Sequence, residues 1–181
     1  MEKKGVPDII VNNAGTINRN NKIWEVPVEE FDAVIDTNVK GIANVLRHFI
    51  PLMLPKSKEL LLTSLLDGED PVLPCIKMWD LAHSTNASFI FDVFCWSVII
   101  MVAPYCASKW AIEGLTRSVA KELPDGMAAI ALNPGVIHTE MLQSCFGTSA
   151  SHYQAPDAWA SKAATMILNL TGADNGASLT V

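Results

Sequence analysis

No Cys-x-x-Cys pair occurs among the four cysteines Cys75, Cys95, Cys106 and Cys145, and none stands beside a histidine at zinc-ligand spacing. This argues against a structural zinc site or a redox dithiol, and the cysteines read as reduced, mostly buried thiols of a cytosolic chain. Basic residues are also scarce. Thirteen Lys and Arg stand against nineteen Asp and Glu, a formal charge of −6, with no Lys/Arg-rich run. Nucleic-acid affinity is built largely from clustered cations, so the composition argues against a DNA or RNA partner. The start, Met1 to Pro7, lacks the long apolar region and small-residue cleavage site of a secretory signal, and the expectation is a cytoplasmic protein. His48, His83, His138 and His152 are scattered without paired spacing, so no metal site is expected. The five Trp lack basic neighbours and read as packing residues.

What is present is a chain of 181 residues, half of them apolar and 18% charged, which excludes intrinsic disorder and suffices for one core. The β-branched run Asp8 to Asn12, halting at Asn13-Ala14-Gly15, predicts a strand buried on both faces. Pro27 and the acids after it open a helix with Phe31, Val34 and Ile35 as its buried stripe. A second helix is expected from about Thr37 to Leu54, buried through Val39, Ile42, Ala43, Leu46, Phe49 and Ile50 and closed by Pro51 and Pro55. Leu60 to Ser64 reads as the next buried strand, and the strand–helix rhythm is that of a parallel α/β sheet.

From Leu65 to Asn86 the periodicity fails, longer than a compact domain tolerates as bare loop. Ala87 to Ala103 is the most apolar stretch. It reaches only the lower edge of a membrane span, and Asp92 inside it costs about 2.5–3.5 kcal/mol on an insertion scale, so a buried or misfolded apolar insert is the preferred reading. The pattern resumes with a helix from Pro104 to about Leu123, a strand at Met127 to Asn133, a loop, a helix from near Asp157, and a terminal strand at Ser178 to Val181.

Tyr105 and Lys109 stand four apart, so on a helix both project from one face. A cation held beside a phenol favours phenolate, bringing its proton into a range useful for transfer to a carbonyl oxygen. Alone this pair is weak evidence, because Tyr and Lys fall four apart often by chance. Its setting is Asn12-Asn13-Ala14-Gly15 at a strand end, Asn38 in a following helix, and Asn133-Pro134-Gly135-Val136-Ile137-His138-Thr139 after a later strand. In this order the motifs resemble those of the short-chain dehydrogenase/reductase family, over residues 5–64 and 102–181. The run Ala103 to Leu142 is similar to that of plant members, pterin aldehyde reductases among them.

The resemblance implies an α/β fold, a Rossmann-like doubly wound parallel sheet, and an oxidoreductase using NADP, with NAD not excluded, to reduce a small aldehyde or ketone. A pterin aldehyde is one such substrate. Tyr105 would be the general acid, Lys109 would tune it and hold the nicotinamide ribose, and Asn38 would hold a water linking Lys109 to solvent. Asn12, Ala14 and Gly15 would stabilise the sheet beside the cofactor, while Pro134, Gly135, Val136 and Thr139 would line the nicotinamide side. The Tyr105 helix, with Trp110, would join a homo-oligomer.

Two departures qualify the match. The family's glycine-rich turn, which lets backbone approach a pyrophosphate at a helix N-terminus, is missing, so the expected sheet is incomplete. The family's site serine lies a little over three helical turns' worth of residues before the tyrosine, whereas Ser64 stands 41 positions before Tyr105. Ser64 would reach the site if residues 65–103 bulge outward, with Ser97 the weaker choice and a site completed by no serine the alternative. The expectation is one partial domain over 1–181, carrying an atypical insert at about 65–103. Two rival readings stand beside the reductase: a truncated, inactive homologue acting only through subunit contact, and a membrane anchor at 87–103.

Overall fold

The structure is a computed structural model and describes residues 6–54, 87–92 and 100–181. The expected strand Leu60–Ser64, Ser64 itself and Ser97 lie outside the described residues. Among those described, four parallel strands form one sheet in the order β1 (Ile9–Asn12), β2 (Ala87–Asp92), β3 (Met127–Asn133), β4 (Ser178–Thr180). Register runs Ile10 to Phe89, Ile90 to Ile130 and Leu132 to Leu179.

The sequence reading places no strand between Ser64 and Pro104, yet β2 occupies the interior position between β1 and β3. The physical reason is composition: Ser88-Phe89-Ile90-Phe91 is rich in residues that favour a pleated, two-sided environment, and six residues are a full strand. Among the described residues no helix is long and apolar enough to cross a membrane. The expectation of a strand buried on both faces is corrected: β1 pairs with one neighbour among the described residues, and its residues are half-buried.

Helices cover both faces. The alternation along β3 sorts its side chains: Met127, Ala129 and Ala131 face a cluster with Ile42, Leu46, Met53, Ile112 and Val119, while Ala128, Ile130 and Leu132 face Ile137, Trp159 and Ala163. The first cluster is built by α2 (Ile42–Met53) and α3 (Ala103–Ala120), the second chiefly by α5 (Pro156–Leu168). Pro104 starts α3, where its missing N–H is no loss, and the helix stops at Lys121. Its far half is tied to the sheet: Ser178 donates to Glu113, whose carboxylate also meets Arg117 at 2.6 Å, and Asn175 bridges Ala120 O and Ala129 N, both at 2.8 Å.

Several local expectations are corrected. α1 (Val28–Ile35) continues into α2 through a π-helical turn, Asp36–Gly41, instead of ending before a separate helix. Pro51 lies inside α2, because it falls in the last turn, where burial of Met53 holds the helix together around one lost N–H. Of the predicted stripe on α1, Val34 is buried, Ile35 is half-buried and Phe31 is exposed. The segment between β3 and α5 contains a short helix, α4 (Glu140–Phe146), and a 3₁₀ turn, Gly147–His152. Thr139 caps α4 by accepting from Leu142 N, a local signal that a loop reading passes over.

Trp159 is 2% exposed and donates from Nε1 to Pro134 O at 2.8 Å, fastening α5 to the loop that leaves β3. Trp159→Phe leaves that carbonyl unpaired, and we expect a loss of about 1–3 kcal/mol in unfolding free energy, read from the urea midpoint.

Candidate active site

Parallel strands bring their C-terminal ends to one edge of a sheet, and there the loops after β1 and β3 meet the N-terminal part of α3. Asn38 is the junction. Its side chain is 1% exposed and accepts from Thr16 N at 2.8 Å while donating to Thr16 O at 2.9 Å. The same Nδ2 donates to Ser108 Oγ at 2.9 Å, and Ser108 donates to Tyr105 O at 2.7 Å. One amide thus binds the loop after β1 to the first turns of α3. Asn38 sits in the π-helical turn, a distortion that recurs where a backbone must aim a side chain off the regular helical path.

Tyr105 and Lys109 are one turn apart on α3, 1% and 4% exposed, with Lys109 Nζ 5.1 Å from the Tyr105 ring centroid. That distance is within cation–π range. Val102, Tyr105, Cys106 and Met141 form a buried cluster, with Ile17 and Cys145 packed against it.

Gly15 brings backbone against both partners of this arrangement. A Cβ built there stands 3.6 Å from Asn38 Oδ1 and 4.0 Å from Lys109 Nζ, so the three groups border one small space. Asn13 Oδ1 is buried and makes no hydrogen bond within the protein, so it has acceptor capacity to offer. Asn12 is half-buried and Ala14 exposed.

On the β3 side, Gly135 takes φ +75, a conformation that favours glycine, and its N–H bonds Asn133 Oδ1 at 2.9 Å. Pro134 is buried, and Val136 is half-buried. Thr139 is 9% exposed, and its Oγ1 serves as the α4 cap. Beyond it, His138, Gln143, Gly147, Thr148 and Ser151 line a cavity of about 490 Å³. Of the predicted site residues, the structure brings Gly15, Asn38, Tyr105 and Lys109 together. It places Asn12 at the end of β1 and Ala14, Pro134, Gly135, Val136 and Thr139 in the loops at the same sheet edge; Ser64 lies outside the described residues. Sequence reasoning missed Thr16 and Ser108, which carry no motif; only a buried amide with two donor hydrogens to place would have pointed to them.

The residues fit the nicotinamide end of a dinucleotide: an ammonium, an unpaired buried acceptor and a glycine that leaves room meet at one edge. In comparisons with known proteins, residues 1–79 match the family model described as enoyl-(acyl carrier protein) reductase and residues 90–149 the model described as short chain dehydrogenase. Over 181 residues the chain is 62% identical to an NADPH-dependent pterin aldehyde reductase of Arabidopsis thaliana, covering all of this chain and 64% of that protein. It is 32% identical over 143 residues to a 3-oxoacyl-[acyl-carrier-protein] reductase of Staphylococcus aureus, covering 76% of this chain and 45% of that one. The chain therefore spans under two thirds of the length of these relatives. A gluconate 5-dehydrogenase from Burkholderia cenocepacia, solved with NADP and tartrate, shares the fold at TM-score 0.71 and 22% identity, over 99% of this chain and 64% of that one. A 3-ketoacyl-(acyl-carrier-protein) reductase from Brucella melitensis, solved with NADH, does so at TM-score 0.71 and 22% identity, over 96% and 65%.

Asn38→Ala would leave both Thr16 backbone groups and Ser108 without their partner, and we expect it to lose about 2–4 kcal/mol of stability. Ser108→Ala removes a single bridge and should lose about 0.5–1.5 kcal/mol, both measured by urea unfolding.

Proposed function

Because the chain belongs to the short-chain dehydrogenase/reductase family, we propose that it serves in the NADPH-dependent reduction of a small aldehyde or ketone, with Tyr105 as proton donor. The observation that carries this reading is the convergence of Gly15, Asn38, Tyr105 and Lys109 on one buried space. The 62% identity to the plant reductase supports NADP over NAD and a pterin aldehyde as substrate.

A bound reduced nicotinamide supplies the hydride. Tyr105 Oη gives its proton to the carbonyl oxygen as negative charge develops there, and the buried Lys109 ammonium stabilises the phenolate left behind. Lys109 would also hold the nicotinamide ribose, and Asn13 Oδ1 would accept a hydrogen bond from the cofactor. Asn12, Ala14 and Gly15 support that side of the sheet. Pro134, Gly135, Val136 and Thr139, in the loop after β3, would line the nicotinamide side. Asn38 has both Nδ2 hydrogens committed, so a water relay to Lys109 asks for its remaining acceptors, the backbone carbonyl and the second lone pair of Oδ1. Ser64 is the proposed second hydroxyl at the substrate oxygen, and a carbonyl reaches Tyr105 by parting the cluster of Ile17, Met141 and Cys145 from it.

A second reading, an inactive homologue working through subunit contact along α3, draws on Trp110, which is 58% exposed on that helix, and on β1, which is paired along one edge among the described residues. Light scattering that gives a monomer at high concentration counts against any oligomer through α3.

Titration with NADPH, followed by nicotinamide fluorescence, should saturate, and Lys109→Ala should weaken binding about tenfold or more through loss of a charge-assisted hydrogen bond. Tyr105→Phe should bind NADPH within about twofold of the parent while aldehyde turnover falls about 10²- to 10⁴-fold. No binding by a folded chain refutes the reductase reading in favour of the second.

A further inference from the structure

We propose that Asn18 is a positioning residue: it latches the entry of α3, and with it Tyr105, onto the loop that follows β1. The inference rests on the reading of Tyr105 as proton donor only for its functional consequence; the latch itself is geometric.

Asn18 is 3% exposed, and its Nδ2 donates to Arg19 O at 2.8 Å and to Met101 O at 3.3 Å. These two bonds fix which way the amide faces, since the flipped amide would set an acceptor against two carbonyl oxygens. The Met101 carbonyl is held a second time, by Asn21 N at 2.9 Å. Met101 is the non-glycine residue with positive φ among those described, at +71, a left-handed conformation that a methionine does not hold without outside constraint. Both bonds to its carbonyl come from the loop after β1, and together they orient the peptide that joins Met101 to Val102.

The next carbonyl is where α3 begins. Val102 is fully buried and its O accepts from Cys106 N at 3.1 Å, so the orientation of the preceding peptide sets the direction in which the helix leaves. Tyr105 lies inside that first turn. The same loop grips the other side of the phenol's surroundings: Ile17 packs on the Tyr105 cluster, and Asn20 Nδ2 donates to Cys145 O at 3.2 Å.

Asn18 is a poor choice for filling space. Its Oδ1 is buried without a partner, and the residue lines a cavity of about 200 Å³ with Thr16, Arg19, Glu30 and Val34. An apolar side chain would serve packing better there, so the value of the amide lies in its two donor hydrogens.

The test is the alkylation rate of Cys106, buried beside Tyr105, read by peptide mass spectrometry on the full chain with iodoacetamide. Asn18→Asp keeps the shape but turns a donor into an acceptor facing two carbonyls, and Cys106 should react about tenfold faster at unchanged far-UV circular dichroism. In a Met101→Gly background, where glycine takes φ +71 unaided, the same substitution should change the rate less than about twofold. If Asn18→Asp does not fold, Asn18→Ala is read in the same two backgrounds. An unchanged rate, or an equal rise in both backgrounds, overturns the latch. Where the parent reduces aldehydes, kcat should fall about tenfold with the NADPH KM within about twofold, and an unchanged kcat overturns the positioning role. A parent without turnover counts against the proposed function, and the alkylation rates still decide the latch.

Discussion

The side-chain amide of Asn38 is the contact on which the candidate site depends. A backbone segment leaving a strand end has N–H and C=O groups that no sheet partner satisfies, and Asn38 satisfies both of those of Thr16 from a helix on another part of the chain. Its remaining donor hydrogen goes to Ser108, which in turn bonds the carbonyl of Tyr105. Three separate segments are thereby held at hydrogen-bond precision around one glycine, Gly15, where a larger residue would take up the space the ammonium and the amide share. Nothing in this network is a strong interaction singly; the bonds through Ser108 are buried and those to Thr16 partly so, and breaking one leaves the buried Asn38 amide short of a partner.

The sheet supplies the frame for that network. Parallel strands discharge their loops at one edge, and small residues at Ala129 and Ala131 let α3 lie close on one face while Trp159 anchors α5 on the other. The ties at Glu113, Ser178 and Asn175 fix the far half of α3, so the orientation of its first turn is left to the contacts at Met101 and Asn38. The left-handed Met101 stands at the entry to the helix that carries Tyr105 and Lys109 of the candidate site.

Much of this frame is legible in the residues. The limits of β3 follow from its apolar run, α3 from Pro104 and its periodicity, and the pairing of Tyr105 with Lys109 from their spacing. What eluded that reading has common physical causes. β2 comes from a stretch whose hydrophobicity is equally that of a buried insert or a short span, and only pairing with β1 and β3 resolves which. Pro51 inside α2, the π-helical turn and the exposure of Phe31 are set by what the helix packs against, which periodicity does not report.

The sequence by itself determined the class of fold, the chemistry on offer and the order of the motifs along the chain, because these are properties of local pattern and residue type. Tertiary structure alone decided that the Asn38 amide is spent on Thr16 and Ser108, that Asn13 keeps a buried acceptor unpaired, and that Asn18 and Asn21 close on the carbonyl of Met101. The reason is that a polar side chain's partner is chosen by which atoms burial leaves within about 3 Å, and that depends on segments far apart in sequence.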